Sequence, residues 1–178
     1  MELKEKQDSP QRTRAVVYAG LFLALAVLWQ SLRFFVPWLT GPWSVFLIGS
    51  LVKATLVLAL LVTGRGTVAG IALLLPLVAF LQGQLPLLPL VPVVGAGSAL
   101  YALLAWHWWG RKGIWLAPCV AGAVFYAGTR LVLFLFSVSG PLAGALTLMM
   151  SWPQLVTGYA GIFLAGMIYK RLSRRSDL

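Results

Sequence analysis

Long apolar stretches run almost the whole length of the chain, broken by short clusters of Gly, Pro, Gln and basic residues. Most of these stretches approach the length of about 20 residues that a helix needs to cross a membrane. The punctuation predicts six such helices. The first runs over about Ala15–Val36 and ends at Pro37. The second covers about Trp43–Thr63, between Gly41-Pro42 and Gly64. The third covers about Thr67–Leu81 and ends in Gln82-Gly83-Gln84. The fourth runs over about Val91–Trp109 and the fifth over about Ile114–Phe136. The sixth is less simple, because the apolar region 142–169 exceeds one span and Pro153 interrupts it. A helix from about Trp152 to Tyr169, with Pro153 in its first turn, is the favoured reading. Ser137–Ser151 is then an apolar connection, and one long kinked helix is the alternative. Prolines 86, 89 and 92 cannot share an ordinary helix, so the chain should be irregular until about Val91.

Composition agrees with this pattern. The 178 residues are 60% hydrophobic and only 10% charged, against about 25% charged in a soluble domain. The expected fold class is an all-α integral membrane protein, a compact six-helix bundle. Residues 1–14 form a polar N-terminal tail, 15–169 the transmembrane domain and 170–178 a basic C-terminal tail. No cleavable signal peptide is visible. Cys119 stands alone, which excludes a disulfide framework and a cysteine-built metal site; a small packing residue is the expected role.

Charge adds the orientation. Lys4, Lys6, Arg12, Arg14, Arg65, Arg111, Lys112, Lys170, Arg171, Arg174 and Arg175 all fall on one side of this topology, and the opposite loops hold no Lys or Arg. Both termini are therefore expected in the cytoplasm, and the multi-pass chain in a plasma membrane, the inner membrane of a prokaryote. Trp106, Trp108, Trp109 and Trp115 would mark the inner interface, and Trp38, Trp43 and Trp152 the outer one. The net charge of +10 needs no nucleic acid partner; it is a topology signal, with membrane lipid as the natural contact.

The four acidic residues, Glu2, Glu5, Asp8 and Asp177, lie in the tails, and no carboxylate side chain occurs from Ser9 to Ser176. That absence argues against carboxylate proton relays, two-carboxylate hydrolysis and carboxylate metal sites. An enzyme is not expected. His107, in the "WHWWGRK" belt, has no second histidine or carboxylate in the membrane body to orient it. No metal ligand set and no cofactor motif is present, and "TGRGT" at Thr63–Thr67 is not a phosphate-binding loop of the Walker type.

Three cations remain outside the topology signal: Arg33, Lys53 and Arg130. At about 1.5 Å rise per residue, Lys53 lies roughly 15 Å and Arg130 roughly 9 Å below the outer boundary, with Arg33 near the outer end of the first helix. Arg33 has an ordinary reading as a snorkelling residue, and Lys53 and Arg130 as donors to backbone carbonyls. The sharper reading is that Lys53 and Arg130, with Arg33, hold an anionic small molecule supplied from outside. Gln82, Gln84 and Gln154 are the candidate hydrogen-bonding partners at that depth. Gln30, Ser31 and Thr129 stand close by, and Trp29, Trp38 or Trp152 would be stacking walls. Small residues also recur at four-residue spacing, Ala15 with Ala19, Gly20 with Ala24 and Gly66 with Gly70; this serves internal packing or a docking face for another membrane subunit.

Six helices in under 200 residues, cytoplasmic termini and small-residue faces on helices one and three resemble the substrate-binding S components of energy-coupling factor (ECF) transporters. "VVYAGLFLALAVLWQSLRFF" has their first-helix character. "LPLLPLVPVVGAGSALYALLAW" resembles their proline-rich entry into helix four, with Gly95-Ala96-Gly97 where many members carry a Gly-Asn pair. The resemblance implies a high-affinity binder of a vitamin or related micronutrient, working with an ECF transmembrane coupling subunit and two ATPase subunits. It makes Ala15, Ala19, Gly66 and Gly70 candidate coupling residues. The competing reading from a different class is a non-transport scaffold or assembly factor of the cell envelope.

Overall fold

The computed structural model describes residues 2–36 and 42–176, with side chains for 13–36 and 43–173. Trp38, and the first-helix stop at Pro37, lie outside the described residues. Among those described, the chain forms helices and no strand: α1 (Glu2–Phe35), α2 (Pro42–Thr63), α3 (Arg65–Leu81), α4 (Leu90–His107), α5 (Leu116–Leu135), α6 (Gly140–Met149) and α7 (Trp152–Ser176), with a 3-10 turn over Lys112–Trp115 before α5. This is an all-α membrane bundle. Stretches of α1, α2, α4 and of the 3-10 turn with α5 are long and apolar enough to cross a bilayer. At 17 residues α3 is shorter, at the lower end of the spanning range.

Three expected boundaries move. α1 begins at Glu2 rather than Ala15, and α7 continues to Ser176 rather than ending at Tyr169. An apolar span marks where a helix is solvated by lipid, not where its hydrogen-bonding stops. The apolar connection 137–151 contains a ten-residue helix, α6. Ser151 separates α6 from α7, and Pro153 sits in the first turn of α7, where its missing N–H costs nothing. The proline-rich segment is irregular until Leu90, with Pro89 at the N-cap of α4.

Turns are set by residues that tolerate a positive φ. Gly64 alone links α2 to α3, at φ 90° and ψ 178°, a region open essentially to glycine. Gly83, at φ 70°, ends α3: its N–H donates to Phe80 O and the Gln84 N–H to Ala79 O, both at 2.9 Å. This is a Schellman cap. It reverses the chain between Gln82 and Gln84 and turns both side chains back toward α1.

The centre of the bundle is α2, which packs against α1, α3, α4 and α7. Leu56, Val57, Ala59 and Leu60 of this helix are essentially inaccessible. Close approach of α7 to α2 depends on small residues. A Cβ at Gly161 would stand 2.8 Å from Lys53 Cβ and 3.2 Å from Ala54 N, and one at Gly49 would stand 2.9 Å from Thr157 Cγ2. α4 uses its glycines in the same way: Gly97 admits the Phe125 ring of α5, and Gly95 faces Leu73 and the Ala72 carbonyl of α3. That carbonyl has no partner at Pro76, which interrupts α3 internally. The small residues predicted to matter behave differently. Positions Gly20, Gly66 and Gly70 meet nothing within 4 Å, Gly20, Gly66 and Gly70 are exposed, and Ala15 and Ala19 are half-buried. The three glycines therefore do not serve close internal packing. Cys119 is also exposed rather than packed, with its sulfur 3.0 Å from the Tyr159 hydroxyl.

Candidate functional site

Two ends of the bundle can be told apart by their contacts. At one, Arg65 lies over the Trp106 ring at 3.7 Å and Trp109 meets Tyr169 edge-on at 5.9 Å. At the other, Phe46 near the start of α2 lies 5.3 Å from Trp152 at the start of α7, and the end of α1 joins the end of α3 through side-chain amides. A cavity of about 180 Å³ lies in this second half, bounded by α1, α2, α3, α4, α5 and α7.

Its floor is Lys53. Among the described residues this is the one charged side chain in the buried set, 7% exposed. Its ammonium donates to Gln154 O at 2.7 Å, a carbonyl that also accepts from Thr157 Oγ1 at 3.3 Å. The same nitrogen stands 5.2 Å from the centroid of the Tyr101 ring and 5.5 Å from that of Phe125, within cation–π range. Tyr101 is itself pinned, its hydroxyl donating to Gly158 O at 2.7 Å. A carbonyl and two ring faces therefore hold the cation, and no carboxylate does.

The wall opposite comes from α1 and α3. Gln84 Nε2 donates to Gln30 O at 2.9 Å and to Gln82 Oε1 at 2.8 Å. Gln82 Nε2 donates to Ser31 Oγ at 3.0 Å, and Ser31 Oγ to Val27 O at 2.9 Å. Gln30 Nε2 reaches Leu75 O at 3.5 Å. That contact fixes the amide's orientation, since a flipped group would set two oxygens against each other. Gln30 Oε1 is then left buried without a partner, and so is Arg33 Nε. Both residues line the cavity. A buried polar atom without a partner costs about 1–3 kcal/mol, and two residues of the lining carry one each, an acceptor on Gln30 and a donor on Arg33.

The predicted residues thus divide. Lys53, Arg33, Gln84 and Gln154 share the cavity. Gln82 stands behind it as the partner that orients Gln84. Gln154 contributes its backbone oxygen, while its side-chain amide turns to Met149 O at 3.2 Å. Arg130 is elsewhere. It is exposed on α5 and lines a groove with α6, so the expected pairing of Lys53 with Arg130 in one cavity does not occur. The residue before it, Thr129, is fully buried with an unpartnered hydroxyl, off the cavity. Trp29 and Trp152 are not walls either. Phe125 is the aromatic wall, with Tyr101 behind Lys53. Sequence reasoning missed both as site residues; the signal was Gly97, whose missing side chain makes room for Phe125.

Compared with protein-family models, curated proteins and solved structures, the chain matches none of them. No group of His, Cys, Asp and Glu able to hold a metal occurs among the described residues.

Proposed function

We propose that this chain is the membrane-embedded substrate-binding subunit of an ECF-type micronutrient uptake transporter, and that it holds a compact anionic molecule in the Lys53–Arg33 cavity. One observation carries the reading: two intramembrane cations and three glutamines border one cavity in a membrane body that has no carboxylate to pair with them. Ionisable residues at such depth mark ligand or ion sites by default. A carboxylate or phosphate would supply the charge that Lys53 lacks and accept from Arg33 Nε. Gln30 Oε1 asks in addition for a ligand O–H or N–H. The volume is below the roughly 300–1,000 Å³ of pockets for drug-sized ligands and holds about six waters at ~30 Å³ each. It therefore favours a ligand nearer nicotinate than folate in size.

In this reading both termini and the basic belt lie in the cytoplasm, the cavity faces outward, and the membrane is a prokaryotic plasma membrane. The chain carries no nucleotide-binding sequence, so ATP hydrolysis falls to two ATPase subunits, reached through a transmembrane coupling subunit. The exposed small residues Gly66 and Gly70, with Ala15 and Ala19, leave room for that subunit's helices.

The test begins with mass spectrometry of small molecules retained by the purified protein, followed by titration of the identified compound. Lys53→Met and Arg33→Met should each weaken binding tenfold or more. Unchanged affinity in both variants would sink the electrostatic reading. Purification of the native assembly should bring down an ATPase pair and a coupling subunit; a cell-envelope assembly in their place would favour a scaffold.

A further inference from the structure

Arg130 presents a separate problem. It sits on α5 five residues before the helix ends at Leu135, about 7.5 Å along the axis, on an exposed face with Leu131 and Phe134, which are 57% and 80% exposed. A guanidinium in an apolar belt needs acceptors for its five donors and a counter-ion. Among the described residues the Arg130 side chain makes no hydrogen bond, and neither does that of Thr147 of α6. The two residues line one groove of about 490 Å³ between α5 and α6. Ser151 also lines it, its hydroxyl donating to Leu148 O at 2.7 Å, and the other walls are mostly apolar, Leu133, Phe134, Val138 and Leu148 among them.

This combination constrains the occupant. It must be anionic, because Arg130 has no protein counter-ion. It must offer oxygens to a guanidinium on one helix and a hydroxyl on the other. It must also be apolar over most of its length, because the walls are. A water-soluble anion meets only the first two conditions. We propose that the α5–α6 groove is a binding site for one anionic phospholipid, its phosphate bridging Arg130 and Thr147 and its acyl chains lying against the apolar walls. The phosphate takes the bidentate geometry that a guanidinium presents. The site also explains what holds α6, a helix in which Leu146 alone is buried: the lipid supplies the missing wall against α5. A snorkelling arginine on a bare helix would share passing headgroups; a second donor from a second helix makes a site.

The full chain is purified in detergent and analysed by native mass spectrometry, then stripped of lipid and reloaded from vesicles of phosphatidylglycerol or of phosphatidylcholine. Wild type should keep one phospholipid per chain and reload at least tenfold better from phosphatidylglycerol. Arg130→Gln and Thr147→Val should each lower retention at least fivefold, whereas Lys170→Gln, at the other end of the bundle, should not. Size-exclusion profile and helix content show that the variants fold. Equal retention by Arg130→Gln, no preference for the anionic lipid, or no retained lipid in wild type overturns the proposal. So does an Arg130-dependent membrane-protein partner in place of lipid. Cavity binding through Lys53 is independent of each of these outcomes.

Discussion

Lys53 and Arg130 have similar sequence surroundings: each is a lone cation in an apolar helix, at comparable depth, with no acidic neighbour. Their surroundings in the fold are opposite. Lys53 points into the densest interface of the bundle, where α7 closes on α2 through Gly161, and a backbone oxygen and two aromatic rings hold it. Arg130 points outward into an apolar groove with no partner. One is a residue that the protein itself partly satisfies and that borders a small cavity between helices. The other has no side-chain partner among the described residues. A cation's depth follows from counting residues along a helix; its partner follows from the direction in which the helix faces, and about 100° of rotation per residue separates a core position from a lipid-facing one.

The sharpest way to break this contrast is at Gly161. A leucine there would collide with Lys53 Cβ and the Ala54 backbone, costing about 3 kcal/mol, the top of the usual overpacking range. Thermal unfolding in detergent should show the loss, together with loss of ligand binding. Next comes a paired measurement of affinity for the retained ligand. Lys53→Met should weaken it by about tenfold to a hundredfold, or about 1.4–2.7 kcal/mol, without lowering the unfolding temperature, since replacing a buried charge by an apolar group of similar volume is commonly neutral or stabilising. Arg130→Met should leave that affinity unchanged. Equal losses in the two variants would mean that both cations serve one site and would end the distinction.

A smaller effect is expected at Gln84→Leu. The change removes donors to Gln30 O and Gln82 Oε1 and should destabilise by about 1–2 kcal/mol. Faster amide exchange at the α1 and α3 ends would be its signature. The smallest change belongs to the Arg130 side. Gly144→Ala in α6 adds a methyl that meets nothing within 4 Å; helix propensity then favours it by up to about 1 kcal/mol. An unfolding temperature lowered by that substitution would show that the α5–α6 groove is tighter than the structure has it.

Much of the site was legible as a set of residue types. The polar positions Gln30, Gln82, Gln84 and Gln154 stood out because apolar residues surround them, and they do gather at one end of the bundle. Their individual tasks were not legible. Gln82 and Gln154 read alike in sequence. The Schellman turn at Gly83 aims Gln82 at Ser31 and its neighbour Gln84, while the first turn of α7 gives Lys53 the Gln154 backbone oxygen. The glycines divide in the same way. Gly66-x3-Gly70 carries the familiar spacing and faces outward, whereas Gly49 and Gly161, on two different helices, let α2 and α7 close on each other. No spacing within one helix reveals a pair formed between two.

By itself the sequence determined the class of molecule, the existence of the membrane helices and their approximate limits. Hydropathy and backbone chemistry act locally, and a chain of 60% hydrophobic residues with no interior carboxylate has few other options in lipid. It also determined that no side-chain carboxylate between Ser9 and Ser176 can pair with a buried cation. Only the tertiary structure decided which cations share a cavity, which glycines bring helices together and that the segment after α5 is itself a helix. Those outcomes depend on the rotation of each helix about its own axis. That rotation is set by how side chains from several helices interlock, a sum of many weak contacts between residues far apart in the chain.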